Sequence, residues 1–173
     1  MHRIFVAIPM SLELQNKVLQ LQKSFGNLPV RWTQPKNLHI TLVPPWKTER
    51  LHEEAKKLET IQLKQFDIYF NTLEFGPNNR TPKMIWVSGP IPHEIVDLRQ
   101  KNFKALKQQP EPRPFKLHMT LARFQPENFL NFPFTQLPLT INLREHVNSF
   151  ALMESHLSPR GSNYKMVKNF TLK

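Results

Sequence analysis

Leu38-His39-Ile40-Thr41-Leu42 and Leu117-His118-Met119-Thr120-Leu121 are two versions of one short pattern, with their histidines 79 positions apart. Each alternates polar and apolar residues, the two-residue period of a strand with one buried face. On such a strand His39 and Thr41 share one face while Ile40 and Leu42 take the other. His118 and Thr120 stand likewise against Met119 and Leu121. A single His-x-Thr in a strand is most often a packed or surface histidine. Two of them, each followed by Leu and each at the same place in a repeated unit, require a shared explanation.

The repeat extends well beyond the motifs. Ile4-Phe5-Val6-Ala7-Ile8-Pro9 overlays Ile85-Trp86-Val87-Ser88-Gly89-Pro90 at an offset of 81, so the offset changes by only two across the whole unit. In the first copy, residues 3–8 read as a strand. A helix follows, N-capped by Ser11, carrying Leu14, Val18, Leu21 and Phe25 at helical spacing and stopped by Gly26. Residues 30–32 form a short strand, Gln34-Pro35-Lys36-Asn37 a turn, and residues 38–43 the motif strand, ended by Pro44-Pro45. Residues 49–61 have helical spacing, and Phe66, Ile68 and Phe70 alternate as a strand.

After a Gly-, Asn- and Pro-rich loop at 76–82 the order returns. The second helix carries Ile95, Leu98, Phe103 and Leu106; a turn with Pro110, Pro112 and Pro114 leads into the motif strand at 117–124. The tail adds strands at 139–146, 149–153 and 164–172. The pattern predicts an α+β fold: one domain over 1–173, bilobal, made of duplicated half-domains at about 1–78 and 79–173. Mostly antiparallel sheets line a central groove, with helices outside and equivalent strands face to face.

Composition narrows the chemistry. The chain has 173 residues and no cysteine, which excludes disulfides, thiolate catalysis and Cys-based zinc sites. The cysteine-free composition fits a cytoplasmic location, and no stretch approaches the roughly 20 apolar residues of a membrane span, so no membrane association is expected. The net charge of +11 and a pI near 10.1 favour a polyanionic partner, nucleic acid or an anionic surface. With four glycines and no Gly-rich loop, P-loop and Rossmann nucleotide sites are disfavoured. His2, His52, His93, His146 and His156 show no ligand spacing and read as surface or structural residues.

Two imidazoles and two hydroxyls in one groove suit phosphoryl transfer. A neutral imidazole takes a proton from the attacking water while the opposite imidazolium protonates the leaving oxygen; an ordinary pKa near 6.5 permits both roles. The hydroxyls of Thr41 and Thr120 are placed to donate to the phosphoryl oxygens. No metal or other cofactor is required by this scheme. From the residues alone the two histidines are interchangeable.

These residues resemble the 2H phosphoesterase superfamily and, within it, the LigT-like RNA 2′,3′-cyclic phosphodiesterase (2′-5′ RNA ligase) family. The likeness runs through Arg3-Ile4-Phe5-Val6-Ala7-Ile8-Pro9, Arg31-Trp32-Thr33-Gln34-Pro35-Lys36-Asn37-Leu38 and both motifs. It continues in Arg113-Pro114-Phe115, Ala122-Arg123, Leu152-Met153-Glu154-Ser155, Pro159, Gly161 and Tyr164. The resemblance implies His39 as proton donor and His118 as proton acceptor, opening a 2′,3′-cyclic phosphate to a 2′-phosphate, with reversible 2′-5′ ligation as a side activity. It also implies Arg123 as a substrate-binding residue. Strict alternation would put Arg123 opposite His118, so a bulge or strand end is needed to bring it in. Trp46, Phe124 and Trp32 are candidates to stack on a base, Trp32 being expected in the core.

The family usually continues Phe-Leu-Gly after the first motif, where this chain has Val43-Pro44-Pro45-Trp46, so the loop on that side is expected to differ. The expected partner is RNA with a 2′,3′-cyclic phosphate end, tRNA fragments included, acted on by a monomer. The alternatives are a phosphodiesterase for a small cyclic nucleotide, an ADP-ribose cyclic phosphate or a 2′-5′ oligonucleotide, and a non-catalytic RNA-binding module.

Overall fold

The computed structural model describes residues 1–78, 80–133, 139–158 and 161–173. Asn79 of the 76–82 loop and Pro159, one of the residues carrying the resemblance, lie outside them. The described elements in chain order are β1 (His2–Pro9), α1 (Leu12–Ser24), β2 (Arg31–Trp32), β3 (His39–Thr48), α2 (Leu51–Leu58) and β4 (Phe66–Gly76). They continue with β5 (Met84–Ser88), α3 (His93–Leu106), β6 (His118–Arg123), β7 (Leu139–Val147), β8 (Ser149–Ser158) and β9 (Gly161–Thr171). Short 3-10 turns occupy Pro35–Asn37 and Pro126–Asn131.

The strands form two antiparallel sheets, in the orders β3-β1-β8-β9 and β2-β6-β5-β4-β7. The fold is α+β, as the alternating patterns indicated. β1 is central between β3 and β8, and β5 between β6 and β4. Central strands are covered on both faces, which explains why all of Ile4 to Ile8 is buried rather than every second residue. Ile4, Val6 and Ile8 enter the main core, which also takes Ile85 and Val87 of β5. Phe5 and Ala7 point the other way, into a smaller cluster with Ala151, Met153 and Tyr164.

One expectation needs correction. β3 does not end at Pro44-Pro45 but runs on to Thr48. It is an edge strand, and its pairing to β1 shifts between Ile4↔Trp46 and Val6↔Val43, so the two prolines lie where the ladder is irregular. An edge position and a bulge are the places where a strand tolerates a missing N–H. The departure after the first motif is therefore a continuation of strand rather than a different loop. The sheets do not follow the sequence order of the repeated halves. β2 and β4, which precede residue 79, belong to the second sheet, whereas β8 and β9 from the tail complete the first. The repeated strand–helix–strand units are present, but a cut at 78/79 does not separate the sheets.

The helices are exchanged as well. Ser11 caps α1 through its side chain, accepting from Leu14 N, and both Ser11 N (2.9 Å) and Ser11 Oγ (2.8 Å) donate to the buried Glu145 carboxylate on β7. Burial raises the pKa of Glu145. α1, connected to the first sheet by sequence, is thus fastened to the second, while α3 packs on β3 of the first. No helix among the described residues is long and apolar enough to cross a membrane.

Candidate active site

His39 and His118 are held by the same device. On β3, His39 pairs with Pro9 and Thr41 with Ala7; on β6, His118 pairs with Ser88 and Thr120 with Trp86. His39 Nδ1 lies 2.7 Å from the Asn37 carbonyl oxygen, and His118 Nδ1 3.0 Å from that of Lys116. In both cases the partner is two residues back. A carbonyl only accepts, so each Nδ1 carries hydrogen and donates, leaving Nε2 as the nitrogen free for proton transfer.

Each imidazole also rests on an aromatic ring from the neighbouring central strand. Phe5 meets His39 at 5.2 Å, and Trp86 stacks on His118 at 4.0 Å with an interplanar angle of 30°. Phe5 and Trp86 are repeat-equivalent at the offset of 81. Tyr164 of β9 closes on His39 edge-on at 5.0 Å. Behind Trp86 lies Gly76, where a Cβ would fall 2.4 Å from the indole; the absent side chain is what lets the ring lie flat under His118.

The two motifs face a common cavity of about 180 Å³, lined by His39, Thr41, His118, Thr120, Trp86 and Tyr164 together with Thr33, Asn37, Met84 and Arg123. Among the described residues neither Thr41 nor Thr120 spends its hydroxyl on a protein acceptor, so both are available to a ligand. Arg123 reaches the cavity because β6 carries a bulge. Trp86 pairs with Thr120 but Ile85 with Ala122, and Leu121 and Ala122 are both buried in succession. The extra residue resets the alternation and returns Arg123 to the face of His118. β3 has the same bulge at Leu42 and Val43, where Ala7 pairs with Thr41 and Val6 with Val43.

The bulges are tied across the molecule. A bulge leaves a ladder carbonyl in need of a donor. The buried Gln22 of α1 donates its Nε2 to Thr33 O (3.0 Å) and to Leu121 O (3.2 Å), which also accepts from Thr33 N (2.8 Å). Arg99 of α3 donates its Nε to Leu42 O (3.1 Å) and lays its guanidinium over Phe115 at 4.0 Å. Each helix therefore secures the motif strand that follows the other helix in sequence.

Burial dominates the protonation of both histidines. Desolvation pushes His39 down to about 4, partly opposed by the Asn37 carbonyl and reinforced by Arg123 and His118. His118 is lowered for the same main reason, with the Lys116 carbonyl opposing, the Lys116 and Arg123 charges adding to the shift, and Glu74 opposing it. Burial thus favours two neutral imidazoles. An anion seated between them restores protons, because it compensates the positive charge that burial penalises.

The sequence profile of the 2′-5′ RNA ligase superfamily matches residues 13–158. The chain belongs to that superfamily. It is accordingly an enzyme of phosphodiester chemistry. Among superfamily relatives, the RNA 2′,3′-cyclic phosphodiesterase of Archaeoglobus fulgidus is 26% identical over 97% of this chain and 99% of its own. The Bacillus subtilis enzyme of the same name is 29% identical over 69% of each chain. The crystal structure of apo E. coli LigT superposes with a TM-score of 0.79 at 22% identity, covering 99% of this chain and 98% of that one, a likeness of fold.

Other aromatic candidates sit differently from the expectation. Trp46 is seven residues past His39 on an extended strand, roughly 20 Å along at about 3.3 Å per residue, and packs against the core instead of the cavity. Phe124 is buried in a cluster with Phe75, Phe129 and Phe132, at 6.3, 6.4 and 4.9 Å. Trp32 packs on Phe25 and the core, as expected, yet one edge of it lines the groove beside the cavity. The superfamily motifs alone did not point to Asn37, Thr33, Met84 or Trp86. The repeat alignment carried the signal for Trp86, through its equivalence to Phe5; the others depend on how distant segments meet. Four of the five remaining histidines pair with carboxylates, His2 and His156 with Glu154, His93 with Glu94 and His146 with Asp67, and His52 is exposed on α2.

Proposed function

We propose that this enzyme hydrolyses RNA 2′,3′-cyclic phosphate ends to 2′-phosphates by metal-independent acid/base catalysis between His39 and His118. The observation that carries the reading is the shared cavity: two imidazoles with Nδ1 tied back and Nε2 free, and two unspent hydroxyls, enter it from equivalent strands. Such a cavity has room for a phosphoryl group between opposed proton carriers. In E. coli LigT, which shares the fold, 3′-AMP has been bound in a crystal structure, consistent with a nucleotide ligand here.

In the proposed step His118 Nε2 takes a proton from water as the water oxygen bonds to phosphorus. The P–O3′ bond breaks, its electron pair stays on O3′, and His39 Nε2 supplies the proton that makes the 3′-hydroxyl. The phosphate remains on O2′. Thr41 and Thr120 donate to the non-bridging oxygens, whose charge Arg123 offsets. With a ribose 5′-hydroxyl in place of water, the same step forms a 2′-5′ linkage, which accounts for ligation as the side activity.

The donor and acceptor roles follow the superfamily resemblance, and leaving-group chemistry tests them. An aryl phosphodiester needs no proton on its departing oxygen. His39→Ala is expected to retain most of the wild-type rate on that ester and lose it on cyclic-phosphate RNA, whereas His118→Ala loses both. The reverse pattern would exchange the two roles.

A further inference from the structure

The catalytic cavity is too small for its substrate. At about 180 Å³ it falls below the ~300–1,000 Å³ of sites that enclose a small-molecule ligand. A phosphoryl group fits, and the nucleoside must extend beyond. Two further depressions continue from it. A groove of about 350 Å³ shares Thr33, Asn37, Arg123 and Tyr164 with the cavity. A shallower one of about 410 Å³ shares Arg31 and Arg123 with the groove and reaches past Phe124 to Asn128. The three form one continuous track, and no Asp or Glu among the described residues lines it.

At the junction stand two arginines. Arg31 of β2 pairs directly with Arg123 of β6. Residues opposed in this way have Cβ atoms about 4.5–5.5 Å apart, and like charges so placed repel. Among the described residues neither guanidinium meets a carboxylate; Arg123 donates one N–H to Met84 Sδ at 3.1 Å, and Arg31 is exposed. Arg31 is nonetheless positioned. It lies against Gly161, where φ is +117° and a Cβ would fall 3.1 Å from its Cζ. Only a residue without a side chain permits that approach at that φ. A strand pair that sets two unneutralised guanidinium groups together, at the mouth of a phosphoryl site, is completed by an anion between or beside them.

We propose that Arg31 binds the phosphodiester immediately 5′ of the cyclic end, so that the track is a subsite for an RNA chain rather than for a mononucleotide. This rests on the catalytic reading above and assigns that site its substrate class. Arg123 serves the reacting phosphate, Arg31 the next one along, and Lys36 on the groove rim adds positive charge to the same path. A 2′,3′-cyclic mononucleotide places its one phosphoryl group in the cavity and, having no second phosphate, leaves Arg31 without a partner. A cyclic-ended trinucleotide engages both arginines.

The test compares kcat/KM for a 2′,3′-cyclic mononucleotide and for a trinucleotide with the same cyclic end, in the wild type, Arg31→Ala and Arg31→Lys. The wild type is expected to favour the trinucleotide, and Arg31→Ala to lose about tenfold on it, the worth of one charge-assisted phosphate contact. Its mononucleotide rate stays within about twofold, which also reports a folded enzyme. Arg31→Lys keeps part of the advantage, and Arg31→Ala flattens the salt dependence on the trinucleotide by about 0.7 in log–log slope, one phosphate's share for a single strand. Equal turnover of both substrates by the wild type would overturn this proposal alone, as would an equal loss on both in Arg31→Ala. No turnover of either by the wild type would overturn the catalytic reading with it.

Discussion

His39 reveals its environment through its protonation. Its pKa is about 4 in the folded chain against an ordinary 6.5, with burial as the main cause. As pH falls, the unfolded chain therefore binds this proton first. The contribution of His39 to stability is complete above about pH 6.5 and declines as pH drops toward 4, by at most about 3 kcal/mol for a shift of this size. Urea unfolding at pH 7 and pH 4.5 measures it: the wild type is expected to lose roughly 2–3 kcal/mol more than His39→Asn. Equal losses would mean that the imidazole is not desolvated. The lowering of both histidines also sets the rate profile. Since kcat/KM reports the free enzyme, its bell should peak on the acid side of 6.5, whichever histidine is the acid. The bell for kcat should lie at higher pH, because bound phosphate raises both groups. A kcat/KM optimum above pH 7.5 would contradict this placement.

At the scale of elements, the pair of bulges and their crossed supports matter most. Leu42 O and Leu121 O are equivalent carbonyls, and Arg99 and Gln22 reach them from opposite helices. Leu121 O keeps the Thr33 N–H when Gln22 is removed, so Gln22→Leu loses one hydrogen bond to each of Leu121 O and Thr33 O, about 0.5–1.5 kcal/mol apiece. Arg99→Met loses a charge-assisted bond worth about 1.5–3 kcal/mol. Arg99→Met and Gln22→Leu are expected to lower the denaturant midpoint accordingly and to reduce kcat more than they raise KM, because the motif strand loses register with its opposite number. Unchanged kcat in a destabilised variant would make these links purely structural. The motif strands themselves were plain in the alternation of 38–43 and 117–124, and Ser11 marked the start of α1 at its capping position. The bulge was legible only as a requirement, from the misphased Arg123. What supplied it, two buried leucine and alanine neighbours and a glutamine 99 residues away, has no local signature.

The molecule as a whole is more interwoven than its repeat. A sequence offset locates equivalent units, but hydrogen bonding decides which sheet each strand joins, and β4, β8 and β9 joined the sheets on the far side of the 78/79 division. A fragment of 1–78 lacks β8, the partner of β1, and its β4 lacks both β5 and β7. Neither 1–78 nor 79–173 is expected to show cooperative unfolding alone, and the mixture should regain it. Independent folding of either fragment, followed by circular dichroism, would contradict the interleaved topology. The same exchange brings His39 and His118 to one cavity, so the site exists only when both sheets are complete.

In the proposed reaction two equivalent imidazoles, and no metal, open the cyclic ester. Phosphorus NMR of RNA ending in a 2′,3′-cyclic phosphate, incubated with the enzyme in excess EDTA, measures it directly. Conversion to a 2′-phosphate at an undiminished rate is expected from the wild type. A loss of about 10²–10⁴-fold is expected in His39→Ala and in His118→Ala, the usual worth of a general acid or base. Abolition by EDTA, a 3′-phosphate product, or near-normal rates in either variant would contradict this mechanism.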